Sequence, residues 1–190
     1  MAERRRALNA EWVAMGRPAL HARTGINTGP MLVGNLGSTY RFAYGVLGDP
    51  VNLGSRLEGL CREYGAEILA GDGTARAAGP AFLFREVDLV RLTGKAQAVR
   101  VHELVGRAGD ALPDERRKAL DLYAAALGPY RARRFGEALA LFEEALRAWP
   151  DDGPSSAMAR RCRTFLESPP PPSAAEWDGV FEPGALREAG

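Results

Sequence analysis

The sequence has few cysteines, almost no net charge and no long apolar run, and each shortage excludes a class of protein. Its two cysteines, Cys61 and Cys162, match no metal or redox spacing, so reduced, buried thiols are expected. A net charge of +1 is too small to indicate binding to nucleic acid or to an anionic membrane. No run of about 18 apolar residues could form a membrane-spanning helix. Because the charged N-terminus also lacks the apolar centre of a signal peptide, a cytoplasmic location is expected.

What remains is the composition of an ordinary globular protein, with 46% hydrophobic and 26% charged residues. The periodicity of residues 1–106 predicts helices and strands in alternation, followed by two strands of period two that are joined by a hairpin. The predicted helices cover 4–16, 49–65 and a turn at 73–79, and the predicted strands cover 20–29, 30–37, 41–48, 66–71, 82–94 and 98–106. This order predicts a mixed α+β unit that ends in antiparallel strands.

The composition changes after residue 106. Residues 107–115 are predicted to be a linker, and residues 116–167 are predicted to be a helical segment. Its three predicted helices cover 116–131, 136–148 and 155–167. Residues 168–190 contain four consecutive prolines, so an extended tail is expected, with Trp177 and Phe181 as candidates for docking.

The stretch "YGVLGDPVNLGSRLEGL" combines a turn, a helix start and a polar pair. Gly48 permits an abrupt turn, Asp49 is the expected N-cap, and Pro50 suits the first helical position. Leu53, Leu57, Leu60 and Tyr64 form an apolar stripe.

Asn52 and Arg56 lie four residues apart on another face of this helix, so their side chains are neighbours. An amide and a guanidinium near a helix N-terminus suit an anionic, phosphate-like ligand. The alternative is that Asn52 is a solvated or capping residue and that Arg56 pairs with a surface carboxylate. Spacing alone favours this second interpretation, because such polar pairs are common.

The segments "RTGINTGPMLVGNLGS" and "RFAYGVLGDPVNLGSRLEGL" resemble the class III nucleotidyl cyclases, the adenylate and guanylate cyclase family. The resemblance continues through "YGAEIL" and "FREVDLVRLTGKAQAVRVHEL" and covers residues 1–106. It implies an α/β sandwich with a ferredoxin-like cyclase domain that is incomplete at its N-terminus. It also implies that Asn52 and Arg56 stabilise the transition state in which the ribose 3′-oxygen attacks the α-phosphate of ATP.

The resemblance further implies two metal ions, Mg²⁺ or Mn²⁺, held by two aspartates that precede the equivalent of residue 1. No "Asp-apolar-x-Gly-Phe" motif occurs in this chain, so no metal ligand is assigned to it. Asp72 in "AGDGTA" is expected to cap a helix instead, and His102 is expected to be structural.

Four further positions correspond to substrate-binding positions of the family. Gly45 stands where a base-selecting side chain is usual, which leaves the choice of ATP or GTP open, and the backbone near Val46 is a second contact to the base. Thr93 stands where the family places a lysine for the β,γ-phosphates. Lys95 either takes over that role or is an ordinary hairpin lysine.

Residues 127–150 resemble one tetratricopeptide repeat. The positions that carry this pattern are Tyr130, Phe135, Ala138, Phe142, Ala145 and Pro150. Since a single repeat cannot bury its own apolar face, it is expected to pack on the rest of the chain or on a partner. It is therefore either a protein-docking site or an intramolecular brace.

Two functions follow from the sequence. In the first, the chain is the C-terminal part of an adenylate or guanylate cyclase that makes cyclic AMP and pyrophosphate from ATP. It works in a homodimer or with a second cyclase domain, and the chain alone is inactive. In the second, it is a truncated, non-catalytic cyclase half that serves dimerisation or protein interaction through residues 116–167. Neither hypothesis involves nucleic acid.

Overall fold

The computed structural model describes residues 2–38, 41–92, 97–170 and 178–183. In chain order the elements are helix α1 (Ala2–Ala14), strands β1 (Thr24–Ile26), β2 (Leu32–Ser38) and β3 (Arg41–Leu47), helix α2 (Asp49–Tyr64), strand β4 (Ile68–Gly71), helix α3 (Asp72–Ala78), strands β5 (Phe82–Val90) and β6 (Val99–Arg107), and helices α4 (Asp114–Arg131), α5 (Phe135–Ala148) and α6 (Gly153–Glu167). The predicted mixed α+β class is confirmed.

The strands form two separate sheets. The main sheet has the order β1-β4-β6-β5, in which β1 runs parallel to β4 and the other neighbours are antiparallel. Strands β2 and β3 form a two-stranded antiparallel hairpin of their own. The strand predicted over 20–29 is only three residues long, Thr24–Ile26. Among the described strands, β1 and β5 are therefore the two outer strands of the main sheet.

Helix α2 packs very closely on β1, and Gly25 allows this approach. A Cβ atom on Gly25 would lie 2.1 Å from the carbonyl oxygen of Gly54, which no side chain tolerates. The helix then ends at Gly65, whose φ of 63° is left-handed and whose N–H donates to the Cys61 carbonyl. These two glycines fix where α2 lies on the sheet and where it stops.

The three C-terminal helices share one hydrophobic core with α2 and the main sheet. Their aromatic rings interlock, with centroid distances of 5.1 Å for Tyr123–Phe142 and 5.1 Å for Phe135–Phe165. Because the apolar faces of α4, α5 and α6 are filled from within the chain, the contacts favour the intramolecular brace over a docking site. The likeness to a tetratricopeptide repeat stays a prediction.

Two buried arginines tie the helices to the sheet. Arg85 of β5 donates to both carboxylate oxygens of Asp152 over 2.9 and 2.5 Å and to Glu103 over 2.5 Å. Arg161 of α6 donates to Asp88 of β5 over 2.5 Å. Burial opposes the charge on each arginine, but the acidic and phenolic groups around it outweigh that effect and raise its pKa. Both guanidinium groups therefore stay charged.

No helix in the described ranges is both long enough and apolar enough to cross a membrane.

Candidate functional site

Helix α2 begins at a sharp bend. Gly48 has φ 153° and ψ 159°, and its carbonyl accepts hydrogen bonds from the N–H groups of Val51 at 3.1 Å and Asn52 at 3.3 Å. Gly48 is thus the N-cap, and Asp49 is the first residue of the helix. The prediction that Asp49 is the N-cap was wrong by one residue, because the bend at Gly48 starts the helix earlier. The Asp49 carboxylate still lies in the first turn.

The helix presents two different faces. Leu53, Leu57, Leu60 and Tyr64 are buried against the sheet and the C-terminal helices, as the apolar stripe predicted. Asn52 and Arg56 are exposed on another face and lie one turn apart. Burial of four large side chains fixes the rotation of α2 about its axis. The direction of Asn52 and Arg56 is therefore set by the core.

The structure describes two of the four predicted substrate-binding residues. Gly45 and Val46 lie on β3, opposite Gly34 and Val33 of β2, and the chain runs from there through Gly48 into α2. Thr93 and Lys95 fall outside the described residues, so their substrate-binding roles stay predictions.

A cleft of about 780 Å³ opens beside the N-terminus of α2. Its walls come from the residues after β1, the start of α2, the start of α3 and the first residues of β6. Asn27 anchors one wall by donating from Nδ2 to the Pro50 carbonyl over 3.0 Å. Asn52 and Arg56 are not among the residues that line this cleft. The cleft and the Asn52–Arg56 pair thus use different residues at the start of the same helix.

Asp72, in the wall of the cleft, belongs to a polar pair that the sequence did not reveal. His102 Nε2 lies 3.0 Å from Asp72 Oδ1, and Arg76 pairs with the other carboxylate oxygen of Asp72. The N-cap of α3 is Gly71 and Asp72 is the first residue of the helix, so the expectation of a capping Asp72 was wrong by one residue. The pair forms because β4 and β6 align Ala70 with His102. No local spacing signals a contact between residues 30 positions apart.

The residues present do not fit the two metal ions that the resemblance implies. Asp49 and Asp72 are the acidic residues of the cleft, and Asp72 is already engaged by Arg76 and His102. Within the described ranges, no group of three or more His, Cys, Asp or Glu side chains is arranged to hold a metal ion. No catalytic step is therefore assigned to a metal bound by the described residues.

The β2–β3 hairpin carries an apolar surface. Leu32 is 75% exposed and pairs with the exposed Leu47, and Tyr44 is 76% exposed on the other face of the hairpin together with the exposed Val33. A two-stranded hairpin has little stability of its own in water. An exposed apolar patch on such an element is typical of an interaction surface.

Comparison with known proteins links this chain to adenylate cyclases. The chain is 35% identical over 141 residues to the terminal-differentiation-specific adenylate cyclase of Dictyostelium discoideum, which covers 73% of the chain and 7% of that protein. It is 36% identical over 104 residues to adenylate cyclase 1 of Rhizobium meliloti, covering 55% of the chain and 16% of the relative. No family model matches the sequence. These relatives support a cyclase domain in the chain, although it spans only a small part of their length.

The first match is longer than residues 1–106, so the similarity extends beyond the predicted cyclase unit. Two solved structures are also similar. The adenylyl cyclase CyaB from P. aeruginosa gives a TM-score of 0.48 at 29% identity, covering 59% of this chain and 55% of that one. The guanylyl cyclase Cya2 gives 0.46 at 32% identity, covering 55% and 52%. TM-scores below 0.5 do not establish a shared fold.

Proposed function

We propose that this chain supplies the transition-state-stabilising half of an adenylate cyclase site that makes cyclic AMP and pyrophosphate in intracellular signalling. The observation that carries the proposal is the exposed Asn52–Arg56 pair on a helix whose apolar face is buried in the core. A catalytic group must be held in place before the reaction to stabilise developing charge. Helix α2 meets that requirement, because burial of its apolar face fixes its orientation about its own axis.

In the proposed reaction the ribose 3′-oxygen of ATP attacks the α-phosphorus. The bond between that phosphorus and the oxygen bridging to the β-phosphate breaks, and pyrophosphate leaves. Negative charge builds on the α-phosphate oxygens, where the Arg56 guanidinium and the Asn52 amide donate hydrogen bonds. Gly45 and Val46 lie on the strand that leads into α2 and are the proposed contacts to the base. Thr93 and Lys95 are the proposed contacts to the β- and γ-phosphates.

The proposed partner is a second cyclase domain on a related chain. It would supply the carboxylates for Mg²⁺ or Mn²⁺, which the described residues do not provide. The exposed apolar side chains of the β2–β3 hairpin support a protein partner, because Leu32 and Tyr44 are otherwise exposed to solvent.

A complementation assay tests this function. The partner is the cyclase domain of R. meliloti adenylate cyclase 1 in which the residues aligned with Asn52 and Arg56 are replaced by alanine. We expect the present chain to restore cyclic AMP formation, and Asn52→Ala or Arg56→Ala to lower the rate about 100-fold, as loss of one oxyanion donor does. Arg62→Ala is the matched control, since Arg62 is an exposed arginine on the same helix.

Association of the two domains is measured on the same samples by sedimentation velocity. A rate for Arg56→Ala equal to that of the unaltered chain would contradict the catalytic role. Association without any cyclic AMP would favour the second candidate, a non-catalytic interaction module, which the missing metal cluster in the described ranges also favours.

A further inference from the structure

A short segment of the C-terminal tail lies against the outer edge of β5. Phe181 pairs in parallel with Val90. Its N–H donates to the Leu89 carbonyl over 2.8 Å, and its carbonyl accepts from the Arg91 N–H over 2.8 Å. Residues Asp178–Glu182, called the tail segment here, thus use backbone groups at the edge of the main sheet.

The ring of Phe181 fills a pocket built by other elements. It is 5% exposed, its centroid is 3.4 Å from the guanidinium carbon of Arg161, and it meets the Tyr64 ring edge-on at 6.5 Å. Arg161 is itself held by hydrogen bonds that it donates to Asp88 over 2.5 Å and to the Tyr64 hydroxyl over 3.2 Å. The pocket therefore has its own internal support and offers a cationic face to an aromatic ring.

Charge and backbone shape add two further elements of recognition. Arg91 pairs with Asp178 and with Glu182, the latter at 2.7 Å, so one arginine meets an acidic side chain at each end of the segment. Gly179 has φ 77°, and a Cβ atom there would lie 3.2 Å from Cγ of Arg131. The segment needs glycine at this position.

We propose that the β5 edge with Arg91, Arg161 and Tyr64 is a peptide-binding site that is filled by the chain's own tail segment. It combines strand addition with a side-chain pocket, a recurring mode of peptide recognition. Its ligand class is an extended acidic peptide of the pattern Asp-Gly-x-Phe-Glu, in which the aromatic ring gives the anchor and the acids give the orientation. The tail is then a tethered ligand, separable from the fold that it binds.

The tether favours occupancy of the site by the chain's own tail. Ten residues, 168–177, separate the end of α6 at Glu167 from Asp178. Binding through a tether that spans the distance is intramolecular, and we take an effective concentration on the order of 1 mM. The tail therefore fills the site if its intrinsic dissociation constant is below about 1 mM. A free peptide of the same sequence displaces the tail only when the peptide concentration approaches about 1 mM.

The test uses the full chain with a viral-protease recognition sequence inserted after Ser173. The protein folds intact, the tail is then cut, and the cut product is dialysed. A fluorescein-labelled peptide with the sequence of residues 176–184 is titrated into it, and fluorescence polarisation reports binding. We expect saturable binding with a dissociation constant between about 1 µM and about 1 mM, and at least ten times weaker binding of the Phe181→Ala peptide.

Two protein variants sharpen the result. Arg91→Ala is expected to weaken binding of the peptide, whereas Arg100→Ala, an exposed arginine on the neighbouring strand outside the contacts of the tail segment, is expected to leave it unchanged. Equal binding of the two peptides would overturn the proposal. So would loss of circular-dichroism signal on cutting, since the segment would then be part of the folding core. Dimers of the uncut chain that dissociate on addition of peptide would place a second copy's tail in the site and overturn the intramolecular assignment.

Discussion

Nη1 of Arg161 lies 2.5 Å from Oδ2 of Asp88, and their side chains are only 2% and 0% exposed. The Tyr64 hydroxyl donates to the same carboxylate oxygen over 2.7 Å and accepts from Arg161 over 3.2 Å. This buried cluster joins the sheet, the helix that carries Asn52 and Arg56, and α6. The position of the candidate catalytic helix therefore depends on a residue about one hundred positions further along the chain.

Replacing Arg161 with alanine is expected to destabilise the fold strongly. Asp88 would be left buried without its counter-charge, and removal of one partner from such a pair costs about 3–5 kcal/mol. Urea unfolding followed by circular dichroism measures the loss. The matched control is Arg160→Ala on the same helix, where the side chain is 65% exposed and its ion pair with Glu63 is 3.9 Å long. We expect a change of at most about 1 kcal/mol there. Similar losses in both variants would show that the buried pair has no special role.

Gly25→Ala is expected to displace α2 from the sheet. Its Cβ would lie 2.1 Å from the Gly54 carbonyl oxygen and 2.4 Å from the Glu58 amide nitrogen, and both are backbone atoms that cannot turn aside. Gly59→Ala is the control, because nothing lies within 4 Å of a Cβ there. Alanine in an exposed helix position stabilises by about 0.5–1 kcal/mol relative to glycine. Thermal melts of the two variants should therefore shift in opposite directions, and a Gly25→Ala variant as stable as the unaltered chain would refute the close packing.

Alkaline pH is expected to unfold the chain. Burial raises the pKa of the Cys162 thiol to about 12, and it raises the pKa values of Cys61, Tyr64, Tyr123 and Tyr130. As the pH rises above the ordinary pKa, which is 9.0 for a thiol and 10.0 for a tyrosine, these groups lose protons in the unfolded chain but keep them in the folded one. The unfolded state is then favoured by about 1.4 kcal/mol per pH unit for each proton.

Urea midpoints measured from about pH 8 to about pH 11 test this expectation. Cys162→Ala should reduce the slope above pH 9.0, since one of the protonated buried groups is gone. A midpoint that stays constant over this range would contradict the assignment.

Polar substitution of the β2–β3 hairpin is expected to weaken association with a second cyclase domain. Leu32→Ser and Tyr44→Ser remove the two most exposed apolar side chains of that surface. Leu166→Ser is the control, because Leu166 is an exposed apolar residue on α6. Sedimentation velocity should show weaker association with the second cyclase domain for the two hairpin variants and unchanged association for Leu166→Ser. Equal association for all three variants would show that the hairpin is not part of the interface.

Local patterns predicted the main elements well. The period of the apolar stripe and the Gly48–Pro50 turn placed α2 within one residue of its observed ends, and the three helices predicted over 116–131, 136–148 and 155–167 are observed as α4, α5 and α6. β1 was overestimated, because the residues before Thr24 and after Ile26 have strand-like character but no partner in the described sheet. A strand is decided by what lies beside it, and a sequence pattern does not contain that information.

The sequence by itself determined which face of α2 is apolar, which residues stand one turn apart on its other face, and where glycine and proline break the chain. Only the tertiary structure decided that Arg161 reaches Asp88, that Asp72 pairs with His102, and that Phe181 closes the pocket beside β5. The first group follows from the 3.6-residue period and from backbone sterics, which act over a few residues. The second group depends on charges and rings brought together from distant positions, and only packing of the whole chain fixes those distances.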